Sequence, residues 1–151
     1  MPVHALFVAS SGGHLSQLLA LRPWWRARRR TWVTFRTADA VSALAGETVV
    51  WAHHPTTRDL PNLLRNTALA WRTLRRERPD VVVTTGAAVA FPFFVLARLL
   101  GVPTVYIEVY DRIDAPTLTT RLCAPFTSLH LVQWPGQLDF LPRAVHVGPL
   151  L

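Results

Sequence analysis

A short apolar run at residues 3–9 (VHALFVA) ends abruptly in Ser10, Ser11, Gly12, Gly13 and His14, after which the apolar positions fall at Leu15, Leu18 and Leu19. Strand-forming residues give way to helical spacing across a turn of small residues. That succession is the opening of a βα unit: buried strand, tight turn, helix N-terminus. Glycines in such a turn tolerate positive φ and let a ligand approach the backbone. The amides of the following helical turn point at any anion in the crevice. Two glycines also suffice merely to close a tight loop. The spacing is neither GxGxxG nor a P-loop, so the turn alone names no ligand.

The rest of the chain repeats this alternation. Strand patterns fall at residues 31–36 (TWVTFR), 47–51 (ETVVW), 80–84 (DVVVT), 104–109 (TVYIEV), 128–132 (SLHLV) and 144–147. Helical patterns lie between them: 38–44 after Thr37, about 60–78 after Asp59, an apolar helix ending at Leu100, 117–124, and a short turn after Trp134. Asp59 and Thr37 are N-cap residues, and Pro61 is tolerated in a first turn. The run at 80–84 is continuously apolar, as in a strand buried on both faces. The pattern predicts one α/β domain over residues 1–151, a doubly wound, Rossmann-like parallel sheet of order 3-2-1-4-5-6. Ligands in such sheets bind beyond the strand C-termini at the switch point, here between the first and fourth strands. The turns at Ser10–His14 and Thr84–Ala88 would flank it, with Glu108 and the loop carrying Asp111 and Arg112 one strand away.

Composition narrows the function classes. With 50% hydrophobic and 17% charged residues, the chain is long and apolar enough for a core. The net charge is +7 and every basic residue is Arg. Arginine favours bidentate contacts with phosphate or carboxylate, although a GC-rich genome produces the same bias. Cys123 is the single cysteine, which excludes an internal disulfide. The chain begins directly in a strand, so no signal peptide is expected. The longest apolar run, 87–100, contains Pro92 and Arg98 and falls short of the ~20 residues that span a bilayer. The second strand ends in Arg36 and Thr37, not in the acidic residue that binds an NAD ribose. No nucleic-acid-recognition pattern and no G-x-S-x-G elbow is present. His53 and His54 are adjacent in a loop without neighbouring ligands, and no metal or cofactor is expected.

Two segments carry a membrane signal. Trp24 and Trp25 sit among Arg22, Arg26, Arg28, Arg29 and Arg30, which suits a headgroup interface or a solvated connection whose indoles pack on the domain. On the helix at 60–78, Leu60, Leu63, Leu64, Thr67, Trp71 and Leu74 share one stripe, and Arg65, Arg72 and Arg76 share another. That is a basic amphipathic helix of the membrane-surface type, or a crossover helix packed on its sheet with its charges in water.

Taken as a set, SGGH, TTGA, GVPTVYIE and VQWP resemble one known family. VASSGGHLSQLLAL is similar to the first glycine loop of GT-B glycosyltransferases of the MurG type. It is closer to the acceptor-side subunit of split UDP-GlcNAc transferases, which include the eukaryotic dolichol-linked chitobiose-forming subunit and the bacterial PssD/EpsE-type polysaccharide subunits. Residues 79–151 resemble the second half of PssD-type proteins nearly end to end. The resemblance implies the N-terminal half of a GT-B enzyme, working with a separate donor-binding subunit. It implies transfer of a sugar, usually GlcNAc, from a UDP-sugar to a polyprenyl-diphosphate-linked saccharide on the cytoplasmic face of the membrane. Catalysis would fall to His14 or Glu108. Backbone around Ser10, Ser11, Gly12 and Gly13, and around Thr85, Gly86 and Ala87, would hold the acceptor diphosphate, with Arg112 as a further contact. Membrane attachment would involve Trp24, Trp25, Arg65, Trp71 and Arg72. A non-catalytic scaffold that recruits a donor-binding subunit is the alternative.

Overall fold

β1 (His4–Ala9) is buried at all six positions, as expected of a strand with helices on both of its faces. The computed structural model describes residues 3–111 and 115–150. β1 is followed by α1 (Gly13–Leu19) and the short α2 (Arg22–Trp25), then β2 (Arg29–Phe35), α3 (Ala38–Ala43) and β3 (Val49–Ala52). The long α4 (Leu60–Glu77) leads to β4 (Val81–Gly86), α5 (Ala90–Leu99), β5 (Thr104–Ile107), α6 (Leu118–Cys123), β6 (Leu129–Val132) and β7 (Val145–His146). Short 3₁₀ turns cover Ala124–Phe126 and Pro135–Asp139. The strands form one sheet of order β3-β2-β1-β4-β5-β6-β7, and every pairing is parallel. This is the doubly wound, Rossmann-like arrangement that the alternation predicts, and the switch point falls between β1 and β4.

The period of two along each strand sorts the core into two layers. Leu6, Val8, Val33, Phe35 and Val82 face α4 and α5, where Ala70, Leu74, Phe93, Phe94 and Ala97 meet them. Ala5, Phe7, Ala9, Trp32 and Val83 face α1 to α3 and pack on Leu15, Leu18, Trp25, Ala40 and Leu44. Trp32 stacks on Phe7 at 4.5 Å and meets Trp25 edge-on at 5.4 Å.

α4 departs from the simple crossover pattern. Its buried residues are Asn62, Asn66, Ala70, Thr73 and Leu74, while Leu60, Leu63, Leu64 and Trp71 are exposed. Of the predicted apolar stripe, Leu74 is the core contact. The inward face is polar because it grips a loop. Asn66 Oδ1 accepts from the His53 amide at 2.8 Å, and its Nδ2 donates to the His53 carbonyl at 3.0 Å. Asn62 Nδ2 donates to the Pro55 carbonyl at 2.8 Å. Asp59 caps the helix by accepting from the Asn62 amide at 2.9 Å. Among the described residues no helix is long and apolar enough to cross a membrane.

Candidate functional site

The pairing of β1 with β4 sets the two small-residue turns side by side, with Ala9 opposite Gly86. Gly12 lies at φ +80° as the residue before α1, so the chain reverses sharply and delivers His14 beside the second turn. Thr85 then holds His14 twice. The Thr85 hydroxyl donates to the His14 carbonyl at 2.6 Å, and His14 Nδ1 lies 3.0 Å from the Thr85 carbonyl. A carbonyl only accepts, so Nδ1 carries a proton, and in the neutral ring the lone pair lies on Nε2.

Gly86 completes this arrangement. At φ +114°, a Cβ there would lie 2.8 Å from the Tyr106 hydroxyl and 3.4 Å from His14 Cε1. The next residue, Ala87, also has positive φ, +76°, a strained conformation of the kind that collects at functional sites.

Two of the amides expected from the sequence to hold a diphosphate are already bonded within the protein. The Gly12 amide donates to Asp39 Oδ2 at 3.1 Å, and the Gly86 amide donates to Thr84 Oγ1 at 2.9 Å inside its own turn. Those two amides are committed to protein acceptors. Asp39, from the start of α3, went unnoticed in the sequence because nothing there links it to the glycine loop. Its carboxyl is held below the usual carboxylate range, first by the Thr37 hydroxyl and then by the Gly12 amide. Ser10, Ser11 and Ala87 do line a cleft of about 750 Å³, and Phe35, Thr37, His54, Arg58 and Thr119 complete its walls. His54 and Arg58 were likewise missed, because they reach the cleft only when Asn62 and Asn66 fold their loop back over it.

Glu108 is not in the cleft. It is 1% exposed, accepts from Thr120 Oγ1 at 2.9 Å, and lies 3.5 Å from His130 Nε2. One residue past the end of β5, its side chain passes under α6. Contact with an acceptor is therefore closed to it, which corrects the sequence expectation. Thr120 also links it to the Tyr106 hydroxyl at 3.1 Å, so Glu108 can act on the site only by supporting the wall behind Gly86 and His14. Burial pushes the Tyr106 phenol above its ordinary value. Arg112 lies outside the described residues. The loop after β5 is fixed by buried amides: Gln17 Oε1 accepts from the Tyr110 amide at 3.0 Å and from Gln133 Nε2 at 2.6 Å.

The membrane residues separate. Trp25 is a core residue, with Nε1 donating to the Leu18 carbonyl at 3.1 Å and the Arg30 guanidinium stacked over its ring at 4.5 Å. Its expected place at a headgroup interface is thereby corrected. Trp24 is partly exposed but belongs to the α1–α3 layer and rests edge-on against Phe7. Trp71, Arg65 and Arg72 lie on α4, across the sheet, and all are exposed. The two segments do not share one surface.

A family model described as "Oligosaccharide biosynthesis protein Alg14 like" matches residues 52–150. The UDP-N-acetylglucosamine--N-acetylmuramyl-(pentapeptide) pyrophosphoryl-undecaprenol N-acetylglucosamine transferase of Roseiflexus sp. (strain RS-1) is 34% identical over 127 residues, covering 83% of this chain and 25% of that protein. The UDP-N-acetylglucosamine transferase subunit ALG14 of Homo sapiens is 27% identical over 89 residues, covering 55% of this chain and 41% of that protein. Among solved structures, Acinetobacter baumannii MurG superposes with a TM-score of 0.76 at 20% identity, over 97% of this chain and 45% of its own. The UDP-N-acetylglucosamine 2-epimerase of Rickettsia bellii does so at 0.78 with 9% identity, over 99% of this chain and 46% of its own. These structural likenesses establish the fold. The chain spans less than half the length of each of these relatives.

Proposed function

The chain belongs to the Alg14-like family of oligosaccharide biosynthesis proteins, and from that premise we propose that it is the acceptor-binding subunit of a heteromeric glycosyltransferase. The reaction is transfer of a sugar, GlcNAc in the first instance, from a UDP-sugar to a polyprenyl-diphosphate-linked saccharide. A partner subunit supplies the donor site. The observation that carries this reading is the clamp at the switch point, where the turn after β1 and the turn after β4 hold His14 with Nε2 as its acceptor nitrogen.

In this mechanism His14 Nε2 accepts the proton of the attacking acceptor hydroxyl as the glycosidic bond forms and UDP departs. Thr85 fixes the ring and its tautomer. Gly86 and Tyr106 bound the space behind the imidazole, and Glu108 supports Tyr106 through Thr120. Ser10 and Ser11 line the cleft where the acceptor's polar groups lie. The outward leucines and Trp71 of α4, flanked by Arg65 and Arg72, rest on the membrane surface as a peripheral attachment at its cytoplasmic face.

The test is a reconstituted complex of this chain with a donor-binding subunit, assayed with UDP-GlcNAc and a polyprenyl-diphosphate acceptor. His14→Ala should lower turnover by about 10²- to 10⁴-fold with assembly intact. Unchanged turnover would exclude His14 as the base and leave the chain a scaffold, a role that the apolar outer face of α4 would also serve.

A further inference from the structure

Next to the cleft runs a second concavity of about 420 Å³, walled by Leu60, Leu63, Phe91, Leu118 and Leu122 from α4, α5 and α6. Both hollows fall within the roughly 300–1,000 Å³ that accommodates small ligands. They are continuous: Thr56, Arg58, Ala88, Leu118 and Thr119 line both. The groove is apolar and opens to water, with Leu60 65% and Leu118 72% exposed. Leucines held this far out of a core, on converging helices, form a surface that stabilises the protein only when something covers it.

The junction carries a cation, Arg58, which among the described residues is the only arginine lining either hollow. It makes no ion pair among the described residues, and its backbone sits at φ +52°. A non-glycine residue there is energetically unfavourable, so the loop tolerates strain to present a guanidinium at the mouth of an apolar trough. The neighbouring carboxylate of Asp59 is turned to the Asn62 amide, 2.9 Å away. An apolar trough ending in a forked cation, and opening into a polar cleft, complements a molecule with an apolar chain, an anionic centre and a polar head, in that order.

Resting on the acceptor reading above, we propose that Arg58 grips the diphosphate of the lipid-linked acceptor and that the groove houses its first isoprene carbons. The tail then leaves over Leu60 and Leu118 toward the membrane side of α4, and the saccharide lies in the cleft by Ser10 and Ser11. The diphosphate is thus held at the rim by a side chain, away from the Gly12 and Gly86 amides that are already engaged.

The probes are inorganic pyrophosphate, farnesol and farnesyl diphosphate, titrated calorimetrically into the full chain. At about fourfold in affinity per buried methylene, burial of three carbons makes farnesyl diphosphate bind about 60-fold more tightly than pyrophosphate. Leu118→Gln, on an exposed side chain, should remove several-fold of that gain and leave pyrophosphate affinity unaltered. Arg58→Gln should weaken both anions by about tenfold or more, as loss of a charge-assisted bond requires, and leave farnesol unaffected. Equal affinities for pyrophosphate and farnesyl diphosphate would overturn the groove. So would a Leu118→Gln effect confined to binding of empty anionic phospholipid vesicles, which would make this face membrane contact only. Anion affinity indifferent to Arg58→Gln would overturn the grip. The acceptor reading fails separately, if the reconstituted wild-type complex transfers no sugar.

Discussion

Gly86→Ala tests the wall behind His14. The added methyl would stand 2.8 Å from the Tyr106 hydroxyl, closer than real contacts allow, on a backbone at φ +114°. Tyr106 cannot swing aside: it is 1% exposed, edge-packed on Phe94 at 5.9 Å and on His130 at 5.0 Å. The backbone conformation alone should cost about 1–3 kcal/mol, and forcing the methyl into a packed wall a further 1–3 kcal/mol or so. The variant should therefore lose about 2–6 kcal/mol in a urea titration followed by tryptophan fluorescence. Tyr106→Phe separates the two contributions. By itself it forfeits the hydroxyl's bond to Thr120, worth about 1 kcal/mol. In that background Gly86→Ala should retain only its backbone cost, so the double variant should be about 1–3 kcal/mol more stable than additivity predicts. Additivity to within about 0.5 kcal/mol would refute the reasoning, because the hydroxyl would then not be the obstacle. The same methyl falls 3.4 Å from His14 Cε1, so transfer activity should fall together with stability and return in part in the double variant.

Other residues give sharper single readouts. Asn66→Ala strands both the amide and the carbonyl of His53 and should cost about 2–4 kcal/mol by the same titration. It should also weaken anion binding, since the freed loop carries His54 and Arg58. Asp39→Asn removes the negative charge nearest the glycine loop and should raise affinity for inorganic pyrophosphate several-fold by calorimetry; an unchanged affinity would show that Asp39 does not screen the cleft. His4 is held below the ordinary histidine value of 6.5 by burial first and by Arg29 second. The fold favours its neutral form, so its contribution is full above pH 6.5 and is lost as pH falls toward the lower folded value. His4→Gln should flatten stability over that acid range, as measured by thermal melts between pH 7 and pH 5.

The strands and their order were legible because strand and helix patterns alternate along the chain, as a doubly wound parallel sheet requires, and the run at 80–84 reads as a strand buried on both faces. The switch point followed from that order, and it put the turns at Ser10–His14 and Thr84–Ala88 together. Direction was harder to read. Periodicity places Leu60, Leu63, Leu64 and Trp71 on one side of α4 but does not say whether that side faces the sheet. It faces out because Asn62 and Asn66 find partners in the His53–Pro55 loop, a contact no local pattern reveals. Trp24 and Trp25 are neighbours of identical type, and only the phase of a four-residue helix sends the second into the core. Glu108 failed for a similar reason, since the pleat just after β5 carries the carboxylate under α6 and away from the cleft. Asp39 and Arg58 come from βα units other than the two glycine turns, so their approach to those turns is a property of the assembled sheet.

That assembly makes the exposed face of α4 and the cleft parts of one structure. The loop 53–58 is bound to α4 by Asn62 and Asn66, and its last residue, Arg58, stands where the apolar groove meets the polar cleft. A crossover helix packed in the ordinary way would bury its leucines and leave the loop unpinned. Here polar residues face inward to fix the loop, and the leucines are displaced outward as a geometric consequence. An amphipathic substrate needs that pairing: an apolar surface reachable from a bilayer, and a rigid cation set at its edge. The inverted face of α4 therefore explains the position of Arg58 as much as it would serve the proposed attachment to a membrane.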